Sequence, residues 1–203
     1  MIGAAPRPSR LLMLMAAVAA VACAAPLRAQ EKPTPQPTVE DSVWAAVLAS
    51  DFAPAGGLVV RARTSGAREG PSGGSPSEGR PQGIESGTVE DFRERNEHPR
   101  EVGPLPGIRV PVTFASEATL DSLADRKKLV DVDAFWRAFY RRFPGTSGLV
   151  TFSRVGFNPA RTQAVVSVSH GCGGLCGSGS VVLLARDPDG GWRVVRSAST
   201  WVS

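Results

Sequence analysis

The sequence predicts an α+β domain, with helices first and a four-stranded antiparallel meander that packs on an aromatic helix. Residues 132–143 repeat large apolar side chains at helical spacing. The segments after residue 148 read as strands joined by short turns. The chain has 203 residues, of which 42% are hydrophobic, which suffices for one core but not for two large ones. We therefore expect a single domain over 39–203.

The N-terminal segment up to Ala29 has the layout of a secretory signal peptide. Arg7 and Arg10 precede an apolar run at 11–25 that is short for a membrane span, and small residues follow it. Cleavage after Ala29 predicts a periplasmic or secreted protein with no remaining transmembrane segment. A lipoprotein modified at Cys23 and a retained membrane anchor are the alternatives.

The first part of the mature chain mixes ordered and polar segments. Residues 30–38 carry three prolines and no apolar period, which predicts an extended tether. Apolar residues on one helical face predict a helix over 39–50, which Asp41 or Ser42 can cap. A strand is expected at 58–63.

Residues 66–87 contain seven glycines and three prolines. Such a segment cannot bury enough apolar surface to offset the entropy lost on ordering. We expect a disordered insert within the domain, because the 34 residues before it, 30–63, are too few to fold alone.

Three short elements are predicted next. The letters TVED at Thr88 resemble a capping box and begin a helix that ends near His98. Alternation predicts a strand at 108–115, and Pro111 indicates that this strand lies at a sheet edge or carries a bulge. A short helix is expected within 116–128.

The strongest helical signal lies over 132–143. Asp131 can cap this helix, and two arginines suit its C-terminal dipole. Because six large side chains form one apolar stripe, we expect this helix to be the main organiser of the core. The stripe consists of Val132, Phe135, Trp136, Phe139, Tyr140 and Phe143.

The C-terminal part predicts four strands, at 149–157, 162–170, 181–186 and 192–202. Short turns between them predict an antiparallel meander, with one face on the aromatic helix. The glycine-rich letters GCGGLCGSGS join the second and third strands as a hairpin.

Several words in this half occur in a recognisable order. They are FYRRFPGTSGLVTFSRVGFN, TQAVVSV, CGGLCGSG, VLL, GGW and the final WVS. In this order they resemble a family of exported bacterial proteins that carries no assigned activity. The resemblance reaches back to Thr88, and it implies export and a shared fold but no mechanism. The order of elements is also similar to the cystatin-like and nuclear-transport-factor-two-like architectures, which is an analogy of fold alone.

Cys172 and Cys176 are the sharpest chemical feature, with three interpretations. A structural disulfide suits an oxidising compartment, with the glycines relieving strain in a tight ring. A redox-active pair is the second, although such pairs use two intervening residues at a helix N-terminus and this one has three in a hairpin. The third is a metal site completed by His170, for which no fourth ligand is near in sequence.

Other catalytic groups are sparse. His98 precedes a proline in a polar stretch, and no G-x-S-x-G elbow occurs. Asp187 and Asp189 lie together in a predicted turn, so a pair of carboxylates facing a cleft is not indicated. The chain from Ala134 onward holds eight arginines against two aspartates. This charge can attract an anionic envelope component.

These patterns predict an exported, non-catalytic binding or structural module, with no metal and no cofactor. A thiol-disulfide oxidoreductase using Cys172 and Cys176 is one alternative. A carrier of a small apolar ligand, with its pocket between helix and sheet, is another. The net charge of +4 falls to +1 when the three arginines of the signal segment are removed, which disfavours nucleic acid as a partner.

Overall fold

The computed structural model describes residues 36–51, 56–66, 82–124 and 131–203, together with Met1 and Gly3. Apart from Met1 and Gly3, the predicted signal peptide lies outside the described residues, as does most of the predicted tether. So does the predicted insert between residues 67 and 81.

The described residues form four helices and seven strands, which confirms the α+β class. In chain order they are α1 (Val39–Asp51), β1 (Gly57–Arg61), α2 (Ser86–Asn96), β2 (Val112–Ala115), α3 (Glu117–Leu123), α4 (Val132–Arg142), β3 (Thr146–Phe152), β4 (Gly156–Phe157), β5 (Gln163–Gly173), β6 (Cys176–Arg186) and β7 (Trp192–Val202). None of the described helices combines the length and apolar character needed to span a bilayer. The cystatin-like and nuclear-transport-factor-two-like analogies stay predictions.

All seven strands belong to one mixed sheet, ordered β2-β1-β3-β5-β6-β7, with β4 paired to β5. The predicted meander is confirmed, because β3, β5, β6 and β7 pair antiparallel in sequence order. The sequence did not predict that β1 pairs parallel with both β2 and β3. The strand predicted at 149–157 is wrong as one element, since residues 153–155 separate β3 from β4.

The edge position of β2 is confirmed, although the strand is shorter than predicted. It covers four residues instead of 108–115, and it pairs with β1 alone. Pro111 precedes the strand, and its carbonyl accepts a 2.9 Å hydrogen bond from the backbone N–H of Leu58.

The larger core lies on the face of the sheet that α1 covers. Four α1 side chains are at most 1% exposed there, packed with alternate residues of β1, β3, β5 and β6. They are Val43, Trp44, Val47 and Leu48. Trp44 stacks on Phe152 with ring centroids 5.9 Å apart, and its Nε1 donates to the Ser153 carbonyl at 3.1 Å.

The opposite face carries α3 and α4 over β1 and β3. Phe139 and Phe143 are buried there with Leu120 and Val59. The predicted stripe is only partly correct, because Val132 is 53% exposed and the other three aromatic members are half-buried. The expectation that this helix organises the main core is therefore wrong, since most buried apolar side chains lie on the α1 face.

Two of the predicted helix caps are wrong, and the third is confirmed. Thr38, rather than Asp41 or Ser42, caps α1: its hydroxyl accepts from the Asp41 N–H, and its own N–H donates to the Asp41 carboxylate. Helix α2 begins at Ser86, so the capping box predicted at Thr88 is wrong. The predicted Asp131 cap on α4 is confirmed.

The last residues of the predicted insert are attached to the sheet. Gln163 accepts hydrogen bonds from the Glu85 N–H and the Thr88 hydroxyl, each at 2.9 Å. Its amide nitrogen donates to the Gly83 carbonyl at 3.1 Å. Residues 82–85 are therefore fixed beside the start of β5.

Candidate binding surface at the hairpin

The hairpin between β5 and β6 is closed by a disulfide. Cys172 and Cys176 are joined with their Cα atoms 5.0 Å apart, and Gly174 and Leu175 form the turn between them. The expected bond between the two cysteines is therefore present, and its structural role stays a prediction. The Nε2 atom of His170 lies 2.9 Å from the Ser147 carbonyl oxygen. The described residues contain no group of three side chains suited to a metal ion.

The glycines of the hairpin accommodate close neighbours. A Cβ on Gly171 would lie 3.0 Å from the indole of Trp136, and one on Gly177 would lie 3.0 Å from that of Trp201. On Gly179 a Cβ would overlap the Trp201 ring. These three glycines therefore allow two tryptophans to pack closely against the strands. The two glycines inside the disulfide ring have no positive φ, so the expectation that they relieve backbone strain there is wrong.

The hairpin is held against α4 along most of the length of the helix. The Tyr140 hydroxyl donates to the Cys172 carbonyl at 2.9 Å. Partial burial raises the pKa of Tyr140 above its ordinary value. At the turn, the backbone of Gly174 approaches Asp133 so closely that a Cβ there would lie 2.9 Å from the carboxylate. These contacts, with the disulfide, fix the position of the turn.

Exposed apolar side chains lie in the turn and on the elements next to it. Leu175 is 91% exposed, Val132 is 53% exposed and Val202 is 77% exposed. Val132 approaches Gly174, and Val202 pairs with Ser178 at the beginning of β6. We call these three residues the hairpin tip. Asp133 lies beside the turn, so one acid borders the tip.

The arginines of the second half mostly have partners of their own. Arg137 pairs with Asp131 and Arg193 with Asp187, both at the surface. Others lie over aromatic rings: Arg142 over Phe143, Arg161 over Phe157 and Arg186 over Trp192. Of these five arginines, two have their charge offset by an acid.

A buried ion cluster was missed by sequence reasoning. Glu40 and Asp41 are 4% and 1% exposed at the start of α1. Arg154 contacts both Glu40 oxygens at 2.8–3.3 Å, and Arg95 reaches the same carboxylate at 2.9 Å. Arg100 binds Asp41 at 3.3 Å. Up to 114 residues separate the partners, so no local pattern indicates them.

Every side chain of this cluster has a partner of opposite charge, as buried charges require. Arg154 also donates from Nη1 to the carbonyl of His98 at 2.8 Å. The His98 side chain is exposed, as its polar sequence context indicates. Asp187 and Asp189 lie in the predicted turn, where Asp189 accepts from the Gly191 N–H.

Comparison with known proteins gives no information about function. No family model, curated protein or solved structure matches the chain. The resemblance to exported bacterial proteins therefore stays a prediction.

Proposed function

We propose that the protein is an exported, non-catalytic binding module that engages a partner through the hairpin tip. The observation that carries this proposal is Leu175, which is 91% exposed at the turn of a hairpin closed by a disulfide. A leucine in this position contributes nothing to the core, and its transfer into an apolar pocket is worth about 2 kcal/mol.

The rigidity of the hairpin supports a binding role. A loop that orders on binding loses conformational entropy, which subtracts from affinity. Here the disulfide, the Tyr140 hydrogen bond and the Trp136 contact with Gly171 fix the turn beforehand. Leu175 can therefore be presented with little further ordering.

Charge and compartment define the partner more closely. Asp133 borders the tip, which favours an apolar pocket with a cationic rim rather than an anionic envelope surface. The disulfide agrees with export, because such bonds persist in oxidising compartments. The signal-like segment that ends at Ala29 supports the same location.

Thiol-disulfide exchange is the alternative, and the exposure of Cys176 favours it. The pair nevertheless lies between two strands, without the helix N-terminus that lowers a thiol pKa in redox enzymes. We expect no reduction of insulin by the purified protein in the presence of dithiothreitol beyond that of the Cys172→Ser, Cys176→Ser double variant. Catalysis that depends on the cysteines would replace the binding proposal.

Photocrosslinking tests the binding surface directly. A benzoylphenylalanine placed at Leu175 should give a discrete crosslinked product in the envelope of the source cell. The same group at Glu94, an exposed α2 position, serves as the control. Excess native protein should compete with the product, whereas Leu175→Asp protein should not, because a carboxylate cannot enter an apolar pocket.

Equal yields from positions 175 and 94 would contradict the proposal. So would equal competition by the native and Leu175→Asp proteins. The Leu175→Asp variant should unfold at the same urea concentration as the native protein, since Leu175 is almost fully exposed.

A further inference from the structure

A second surface, separate from the hairpin tip, forms a groove at the other end of β5, β6 and β7. Its volume is about 460 Å³, which is within the range of small-ligand sites. One wall is the loop at residues 82–85, and the floor and opposite wall come from the sheet. The lining residues are Gln82, Gly83, Glu85, Thr162, Gln163, Leu183, Leu184, Ala185, Val195 and Arg196.

The loop wall is built by specific hydrogen bonds. Gln163 binds this loop through both ends of its side-chain amide. Glu85 is engaged as well, because both of its carboxylate oxygens accept from Asn158 Nδ2, at 3.3 and 3.2 Å. Asn158 is itself 4% exposed. The loop therefore stands at a fixed distance from the sheet.

A β-bulge shapes the opposite wall. Leu183 pairs with Arg196 while Leu184 pairs with Val194, so Val195 is an extra residue in β7. Bulges of this kind redirect side chains and are common beside functional sites. Val195 is 44% exposed, although it lines the groove with the buried Leu183. The bulge thus places an apolar surface beside an arginine.

Arg196 is the charged group that remains available. It is exposed, and no carboxylate or aromatic ring among the described residues engages it. Arg193, three residues earlier, is also exposed, but it pairs with Asp187 at 3.1 Å. Glu85, the only acid among the lining residues, keeps its charge, but hydrogen bonds to both of its oxygens hold its carboxylate toward Asn158. The groove therefore offers one uncommitted cation next to an apolar floor.

We infer that this groove binds a small amphipathic carboxylate. Its carboxylate pairs with the Arg196 guanidinium, a charge-assisted contact that can be bidentate. Its aliphatic part lies on Leu183 and Val195. This inference is independent of the hairpin proposal, because the two surfaces share no residue.

Three ligands of equal chain length test the inference: octanoate, 1-octanol and octylamine. Each is titrated into the 15N-labelled protein, expressed with its own N-terminal segment, while amide chemical shifts are followed. Octanoate should shift signals from residues 82–85, 183–185 and 195–196, and it should bind more tightly than the other two. Arg196→Gln should weaken octanoate binding about tenfold. Arg193→Gln removes the same charge from the same strand, and it should change the affinity for octanoate less than about twofold.

Val195→Glu provides a second variant, which places a carboxylate in the groove at an exposed position. It should abolish octanoate binding and favour octylamine. Equal binding of octanoate and 1-octanol would overturn the inference, as would equal weakening by the two arginine variants. Shifts confined to other parts of the protein would also overturn it.

Discussion

Helices α1 and α4 cover opposite faces of the same sheet, and they are buried to very different extents. Trp44 of α1 is 0% exposed, whereas Trp136 of α4 is half-buried. The sequence of α4 has the clear apolar stripe, while that of α1 has apolar residues around most of its circumference. The helix with the clearer apolar stripe is therefore the less buried of the two.

The physical reason is that a stripe implies a polar face in water. A helix that is apolar on most sides can only be satisfied inside the protein. Two acids of α1, Glu40 and Asp41, are buried nonetheless, because arginines from distant segments pair with them. A clear stripe therefore indicates a surface helix, and its strength does not measure its contribution to the core.

The largest expected effect is a difference in how much stability the protein loses when each of the two tryptophans is replaced by alanine. Trp44→Ala should lower the free energy of unfolding by about 4 kcal/mol, through lost packing on Phe152 and a lost hydrogen bond to Ser153. Urea denaturation followed by circular dichroism measures it. Trp44→Phe, which keeps most of the apolar area, should recover more than half of the loss.

A loss below 1 kcal/mol for Trp44→Ala would show that the α1 face is loosely packed. In that case the burial of α1 would not distinguish the two helices.

The fold was predictable where its signals are local. Alternation located the meander strands, and the spacing of apolar residues located α1 and α4 to within a few residues. The parallel pairing of β1 with β2 and β3 was not predictable, because their register is set by contacts between residues more than 50 apart in sequence. The end of β3 was equally hidden: the Ser153 hydroxyl accepts from the Ser167 N–H where the strand stops.

On the other face, Trp136→Ala should cost about 2 kcal/mol, roughly half the effect at Trp44, because less apolar area leaves water. The variant should also loosen the hairpin, since the indole lies on Gly171. Hydrogen exchange of the amides at 171–177 should accelerate in Trp136→Ala and stay unchanged in Trp44→Ala, measured under native conditions. Equal acceleration in both variants would mean that the hairpin depends on global stability alone.

The candidate site was predictable only in part. The cysteine spacing indicated the disulfide, and the turn letters indicated a hairpin. The letters of the hairpin do not explain why it is rich in glycine. Larger side chains there would fill space that is occupied by Trp201 and Trp136, which lie elsewhere in the sequence. The groove depends on an extra residue in β7 and on a loop that follows the glycine-rich segment, which no local pattern relates to each other.

The smallest effect concerns Tyr140, which joins α4 to the hairpin. Tyr140→Phe should lower the free energy of unfolding by about 1 kcal/mol at pH 8, through loss of the hydrogen bond to the Cys172 carbonyl. Burial raises the pKa of Tyr140, so the unfolded chain releases this proton at lower pH than the folded protein does. The contribution of Tyr140 is therefore complete below the ordinary tyrosine pKa of 10.0, and it is lost as the pH rises through the folded value.

The difference between native and Tyr140→Phe proteins should narrow as the pH passes 10, which urea denaturation across an alkaline pH series measures. Tyr140 is the single tyrosine of the chain, so the phenolate absorbance reports its ionisation alone. A folded-state titration at or below the midpoint of the urea-unfolded protein would contradict the burial of this hydroxyl. It would also remove one of the contacts that fix the hairpin on α4, whereas the α1 face, which contains no tyrosine, would be untouched by the result.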